Sequence, residues 1–248
     1  MVNSLPVDFS LKEEHLSVVV PIILAIVSFV IYWFTAQSEK VKEKFYKKSD
    51  FDTASEHHIF FTKIFGFLTM GVIPLVLCLV LLPGTSLAYY GLAYKADTLA
   101  LTLICIFILS LVVVPMASAS ARKSKNLLKY PQIRARVWTN KTVLINIVGW
   151  ALYLFGYETL FRGVLLMPLA EHMGVWPAIA INIAIYSAIH IPKGLEETIG
   201  AMPLGLILCL VTLATGTIWV AFCVHLAMAL TNSFTALKFH PDISYKRN

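Results

Sequence analysis

The sequence predicts an all-α integral membrane protein, a polytopic bundle of about seven transmembrane helices. Two observations support this fold class. Of 248 residues, 58% are hydrophobic and only 14% are charged, whereas a water-soluble domain carries about 25% charged residues. The apolar residues are gathered into runs close to the roughly 20 residues that a membrane-spanning helix needs. A lipid bilayer is therefore the expected surrounding. The net charge of +6 does not indicate a nucleic-acid partner, because the basic residues lie between the apolar runs and are not interleaved with aromatic residues.

Seven apolar runs define the predicted helices, and in chain order they are 17–35, 64–83, 99–118, 142–170, 176–190, 198–215 and 217–237. The first three contain no charged residue, whereas the fourth contains two. The turn signal ATGT separates the last two. We therefore divide the chain into an N-terminal part with three helices and basic loops (1–141), a chemically active core (142–237) and a tail (238–248).

Lysine and arginine are concentrated in alternate connections between these runs. The segment 119–141 holds seven of them and no acidic residue, and the segment 36–58 holds five lysines. The segment 84–97 holds only Lys95. Because basic loops favour the cytoplasmic side, we expect a multi-pass protein of a bacterial inner membrane, with its N-terminus outside and its C-terminus in the cytoplasm.

Two charges interrupt the fourth run, in the stretch GYETLFRG. Ionisable side chains are costly inside a bilayer and commonly mark functional sites there. Glu158 and Arg162 are four residues apart, so they share one face of a helix and are placed to form an ion pair. A buried pair that only fixes the register of the helix is the simpler interpretation.

Two later runs also carry polar residues on one helical face. Asn182, Tyr186 and His190 follow each other at intervals of four, and His225 is followed by Asn232 two turns later. The helical rise places His190 at a depth similar to that of the carboxylate in the fourth run, and His225 comes within reach of both if the helices tilt. Taken singly, one histidine is explained as a helix cap and the other as a hydrogen-bond partner between helices. The occurrence of such residues in three helices of the same half of the chain favours one common site.

The chemistry open to this site is the activation of water. The chain has neither a GxSxG nor an HExxH motif. A carboxylate and two imidazoles act either as general bases or as ligands of a metal ion that lowers the pKa of bound water. Arg162 would hold the carboxylate in place, and a histidine or asparagine would stabilise the oxyanion.

These motifs resemble the CPBP family, which comprises CAAX prenyl endopeptidases and bacteriocin-processing or immunity proteins. The resemblance covers about 143–232 and rests on ExxxR in YETLFRG, an aromatic residue four places before histidine in YSAIH, and the later His225. It implies a helical intramembrane protease fold and hydrolysis of a peptide bond. The implied partners are the bilayer and a membrane protein or lipidated peptide substrate.

The chain departs from the family pattern at the general base. The family's first motif usually reads EExxxR, and its first glutamate is held to activate water, but Tyr157 stands at that position here. Either Glu158 itself acts as the general base, or Glu197 of LEET folds back beside His190 and acts as the base. We favour Glu197, and we expect Glu196 to stay solvated.

Two other positions differ from the family. Tyr186 replaces a phenylalanine with little change in shape. The asparagine expected four places after His225 is Ala229, and Asn232 is the predicted substitute.

The predicted catalytic residues are Glu158, Arg162, His190, Glu197 and His225. Support for the substrate or the oxyanion is assigned to Tyr157, Tyr186 and Asn232. The cofactor is left open between a divalent metal such as zinc and none, and the candidate ligands are His190, His225, Glu158 and Glu197.

Three functions compete on this evidence. The first is an intramembrane endopeptidase, a peptide hydrolase that uses activated water. The second is an inactive scaffold or immunity protein that binds a membrane peptide, which Tyr157 favours. A proton-coupled transporter would also explain buried glutamate and histidine, but the sequence shows no pair of interrupted helical repeats.

Overall fold

The computed structural model describes residues 9–247, apart from the side chains of residues 13 and 193, and helices dominate it. Residues 1–8 and 248, at the ends of the predicted N-terminal part and tail, lie outside the described residues. The helices in chain order are α1 (Glu13–Ala36), α2 (Glu39–Tyr46), α3 (Phe51–Gly66), α4 (Ile73–Leu81), α5 (Leu99–Ala121), α6 (Ser124–Leu127), α7 (Asn140–Glu158), α8 (Met167–Met173), α9 (Val175–Ala188), α10 (Leu195–Thr215) and α11 (Trp219–Phe239). The remaining elements are two π-helical segments (Phe67–Val72 and Thr159–Leu166), one 3₁₀ turn (Ile191–Lys193) and two short strands, β1 (Val137–Trp138) and β2 (Ser244–Tyr245).

Six helical stretches within residues 9–247 are long and apolar enough to cross a membrane, and they are Glu14–Ala36, Phe51–Leu81, Leu99–Ala121, Asn140–Met173, Leu195–Thr215 and Trp219–Phe239. The predicted all-α, polytopic membrane bundle is confirmed. The predicted count of seven is not confirmed. The fifth run forms α9, whose 14 residues rise only about 21 Å, less than the roughly 30 Å of a hydrocarbon core.

The second membrane stretch begins earlier than the sequence predicted. Its start was placed at Ile64, but the helix begins at Phe51. Asp50 caps it by accepting hydrogen bonds from the backbone N–H groups of Asp52 and Thr53, each at 3.1 Å. Hydrogen bonds from Thr53 lower the pKa of the Asp50 carboxyl. The added turns carry polar side chains that look solvated in the sequence but are buried in the structure, among them Glu56, His58 and Lys63.

One end of the bundle gathers the basic connections, and we call residues 37–50, 122–139 and 240–247 the basic end. There β1 pairs in parallel with β2, and Lys129 forms an ion pair with Glu197 at 3.0 Å. The strand pair brings the segment before α7 and the tail after α11 to the same end. The chain therefore enters α7 and leaves α11 at the same end of the bundle.

The opposite end is closed by its own contacts. The backbone N–H of Ile218 donates to the carbonyl of Gly91 at 3.0 Å. The hydroxyl of Thr98 donates to the carbonyl of Thr215 at 2.7 Å. The connection before α5 and the turn between α10 and α11 therefore lie together, away from the basic end.

Two glycines let α7 approach the second membrane stretch closely. A Cβ atom added to Gly71 would lie 2.7 Å from the Cα of Gly156, and one added to Gly156 would lie 2.8 Å from the Cα of Phe67. Small residues at such crossings allow backbones to pack directly in membrane bundles. This contact fixes the last turn of α7, which ends at Glu158.

Candidate functional site

The carboxylate of Glu158 is the centre of a buried polar cluster. Its side chain is 0% exposed, and its Oε1 accepts a hydrogen bond from Nδ1 of His225 at 2.5 Å. Its Oε2 lies 3.5 Å from Nε of Arg162, whose side chain is also 0% exposed. The predicted pairing of Glu158 with Arg162 is therefore present, and the same carboxylate also meets an imidazole from a different helix.

His225 is held between the carboxylate and a tyrosine. It lies on the second turn of α11 and is 6% exposed. Because an ionised carboxylate only accepts hydrogen bonds, Nδ1 of His225 carries the proton. In the neutral ring, Nε2 therefore holds a lone pair, and it lies 3.4 Å from the hydroxyl of Tyr186. A carboxylate that fixes the tautomer of a histidine in this way orients the ring for proton transfer.

Arg162 connects the π-helical segment after α7 to α9. Its Nη1 donates to the Oδ1 of Asn182 at 3.2 Å, and the guanidinium carbon lies 4.7 Å from the ring centre of Tyr186. Asn182 in turn donates to the carbonyl of Phe161 at 2.6 Å. The π segment is itself notable, because π-helical turns are rare and frequently occur at functional sites.

Asn182 and Cys209 are participants that the sequence did not assign to the site. The thiol of Cys209, on α10, donates to the Oδ1 of Asn182 at 3.3 Å. Asn182 was recognised only as one member of a polar face. An asparagine in an otherwise apolar helix, four residues before Tyr186, was the available signal for a partner of the buried arginine.

His190 lies just beyond the end of α9 and is almost completely buried. Its Nδ1 donates to the carbonyl of Tyr186 at 2.7 Å, which caps the helix and fixes the ring. The ring centre of Tyr186 lies 4.8 Å from that of His190 and 6.3 Å from that of His225. Tyr186 therefore borders both histidines, as the predicted polar face required.

Tyr157 forms a wall of the same cluster. Its ring centre lies 5.8 Å from that of His225 and 5.9 Å from that of Tyr186. The side chain is buried, and its hydroxyl has no hydrogen-bond partner among the residues that the structure describes. A buried hydroxyl without a protein partner is costly, and the ring that carries it packs beside His225.

Glu197 lies elsewhere than the sequence analysis favoured. It occupies the first turn of α10, its side chain is 32% exposed, and its carboxylate binds Nζ of Lys129 at 3.0 Å. Glu196 pairs with Lys125 at the surface, as expected for a solvated residue. The LEET segment thus meets the basic connection before α7. The carboxylate that contacts an imidazole is Glu158.

Asn232 is half-buried on α11, two turns beyond His225. This placement keeps it on the helix that carries His225. Its predicted support of an oxyanion remains a prediction.

Within residues 9–247, no three histidine, cysteine, aspartate or glutamate side chains come together in a group that would hold a metal ion. Of the four candidate ligands, Glu158 and His225 bind each other and Glu197 pairs with Lys129. A zinc site takes at least three protein ligands, and the choice between a divalent metal and no metal remains a prediction.

Comparison with known proteins gave one match. Residues 132–231 match the family described as Rce1-like, type II CAAX prenyl endopeptidase Rce1-like. The matched segment contains the whole buried cluster, from Tyr157 to His225, and ends one residue before Asn232. No curated protein and no solved structure matched the chain.

Proposed function

We propose, from the match of residues 132–231 to the family described as Rce1-like, type II CAAX prenyl endopeptidase, that this chain is an endopeptidase that uses activated water. Its substrate would be a membrane protein or a lipidated peptide. The observation that best supports the proposal is the buried contact of 2.5 Å between Glu158 and His225. A carboxylate–imidazole dyad in a water-poor interior is a general base with a fixed orientation.

The proposed reaction uses His225 as the proton carrier. Nε2 accepts a proton from water while the water oxygen attacks the scissile carbonyl carbon. The charged carboxylate of Glu158 stabilises the resulting imidazolium, as in other acid–imidazole pairs. When the tetrahedral intermediate collapses, the C–N bond breaks and Nε2 returns its proton to the leaving amine. The products are a carboxylic acid and an amine.

The surrounding residues supply position and charge. Arg162 keeps Glu158 ionised in the interior, because an unpaired buried carboxylate would be too costly. The hydroxyl of Tyr186 is an O–H donor beside the dyad, and we assign the buried hydroxyl of Tyr157 as a second donor; such donors stabilise a developing oxyanion. His190, fixed by the Tyr186 carbonyl, hydrogen-bonds the substrate on the other side of that tyrosine.

One observation favours a second candidate function. The ring of Tyr157 packs beside His225 and Tyr186, at the position where the family usually carries its water-activating glutamate. A chain that had lost hydrolysis would keep the buried pocket as a binding site for a membrane peptide. It would then act as a scaffold or an immunity protein.

A cleavage assay separates the two functions. The full-length protein in lipid nanodiscs is incubated with a farnesylated peptide ending in a CAAX sequence and with the same peptide without the lipid, and released fragments are measured by mass spectrometry. We expect cleavage by the native chain and a loss of at least about 100-fold for His225→Ala. Saturable peptide binding without release of fragments by the native chain would support the scaffold instead.

A further inference from the structure

A polar cavity lies at the basic end of the bundle. Its volume is about 290 Å³, and it is lined by the end of α1, by α2, by the middle of α3 and by the segment before β1. Three cationic side chains line it, Lys42, Lys129 and Arg134, against the single carboxylate of Glu39. The lining therefore carries a net charge of +2, three cations less one anion.

A buried imidazole faces this cavity. His58 lines it and is 7% exposed, yet its Nε2 has no hydrogen-bond partner in the part of the chain that the structure describes. Its ring is held by aromatic contacts at 5.7 Å from Phe45 and 6.4 Å from Tyr46. Buried polar atoms are nearly always satisfied. A fixed nitrogen without a protein partner at the wall of a cationic cavity therefore indicates a ligand.

The ion pairs that Lys42 and Lys129 already form would compete only weakly with such a ligand for the two ammonium groups. Lys42 pairs with Glu39 at 3.3 Å and Lys129 pairs with Glu197 at 3.0 Å, and all four side chains are substantially exposed. Exposed pairs of this kind contribute little to stability. Lys42 can therefore turn towards an anion in the cavity at small cost, and Lys129 lines the same cavity.

The position of the cavity indicates the source of the anion. Tyr32 and Ala36, at the end of the first membrane stretch, line it together with Ile59 of the second. The polar helix α2 forms another wall. The cavity thus lies at the ends of the apolar helices, next to the basic connections. Basic pockets at this depth of a membrane protein bind anionic lipid headgroups.

We propose that this cavity binds the phosphate group of an anionic membrane lipid. A phosphate offers several strong acceptor oxygens, which suits donors that arrive from α2, α3 and the segment before β1. Lys42 and Lys129 supply mobile ammonium groups. Arg134 adds a fixed charge, because its guanidinium already donates to the carbonyls of Leu127 and Leu128. Nε2 of His58 meets the ligand from the interior.

A lipid titration tests this proposal on the full-length protein. The protein is purified in an uncharged detergent and titrated with phosphatidylglycerol, with zwitterionic phosphatidylcholine as the comparison, and bound lipid is counted by native mass spectrometry. Lys42→Gln and Lys129→Gln should each weaken binding of phosphatidylglycerol about fivefold, since one lysine near a membrane surface contributes about a factor of this size. Lys42→Arg, which keeps the charge, should bind as the native chain does.

Two matched lysines serve as controls for diffuse attraction. Lys47 directly follows α2 and pairs with Glu43, and Lys125 pairs with Glu196, but neither lines the cavity. Lys47→Gln and Lys125→Gln should change the affinity less than about twofold. Equal losses in the control and cavity variants would overturn the proposal, and so would equal binding of the two lipids.

Inorganic phosphate distinguishes a lipid from a soluble ligand. Thermal unfolding is followed while sodium phosphate is exchanged for sodium chloride at constant ionic strength. We expect little stabilisation by free phosphate, because it lacks the acyl chains that hold a lipid at the cavity. Stabilisation that depends on Lys42 and Lys129, without phosphatidylglycerol binding, would overturn the lipid source and assign the cavity to a soluble phosphate compound.

Discussion

At the scale of single residues, the cost of burying the charge of Glu158 must be offset by the contacts that this carboxylate makes. Removing a carboxylate from water is costly, and the penalty of burying a pair can exceed the attraction between the partners. Glu158 has two partners, the guanidinium of Arg162 and the imidazole of His225. Arg162 is in turn engaged by Asn182. The charges are thus embedded in a network, and loss of one member leaves the others buried and unpaired.

Arg162→Ala should therefore lower the stability of the folded protein as well as the rate of cleavage. The expected cost is about 3–5 kcal/mol, the value typical of a buried pair that has lost one partner. Arg162→Lys should restore part of the abundance, because it keeps the charge but not the hydrogen bond to Asn182. Abundance in membranes and thermal unfolding in detergent measure both effects. Native stability of Arg162→Ala would show that the two charges are energetically independent.

The sequence predicted this part of the site because helical periodicity is local. The interval between Glu158 and Arg162 and the shared face of Tyr186 and His190 follow from spacing alone. The placement of Glu197 does not follow from spacing. Its partner, Lys129, lies 68 residues away in sequence, and a contact of that kind depends on how two loops meet in the folded bundle.

At the scale of helices, the site depends on the close crossing between α7 and the second membrane stretch. Gly156 lies two residues before Glu158, with the backbone of Phe67 directly against it. The sequence located both helices but not this crossing, because a glycine in an apolar run does not reveal which partner it approaches. It also missed the first turns of α3, because Glu56 and Lys63 look solvated unless their burial against neighbouring helices is known.

Gly156→Ala should separate these helices and destabilise the protein. The new methyl group would meet backbone atoms of Phe67, which cannot move independently, and overpacking of this kind costs about 1–3 kcal/mol. Gly200→Ala is the matched control, since Gly200 lies within α10 and nothing lies within 4 Å of its added Cβ. That change should be neutral or stabilising by up to about 1 kcal/mol. Equal thermal unfolding of the two variants would contradict the crossing.

At the scale of the whole molecule, the segments that connect the helices lie at two opposite ends of the bundle. The basic end holds the β1–β2 pair and the ion pairs of α10, and the opposite end holds the contact between Gly91 and Ile218. Composition predicted the membrane and the bundle, because both follow from hydrophobicity over long windows. The short fifth run at 176–190 was also predicted as a helix, and it forms α9, which has 14 residues.

The orientation of the two ends is predicted from charge. We expect the basic end to face the cytoplasm. Leu128 is 81% exposed at the basic end, and Tyr94 is 68% exposed at the opposite end. A membrane-impermeant maleimide applied to intact cells should label Tyr94→Cys, and it should label Leu128→Cys only after the membrane is permeabilised. The reverse pattern would invert the proposed topology.

The central claim is that the dyad of Glu158 and His225 activates water, and a comparison of two glutamate variants tests it most directly. Peptide cleavage is measured for Glu158→Gln and Glu197→Gln and normalised to the folded fraction by size-exclusion chromatography. Both changes remove one carboxylate and keep the side-chain shape. We predict a loss of at least about 100-fold for Glu158→Gln, since the amide cannot stabilise an imidazolium, and a rate within about twofold of native for Glu197→Gln. A folded Glu158→Gln variant that cleaves normally, beside an inactive Glu197→Gln variant, would contradict the account.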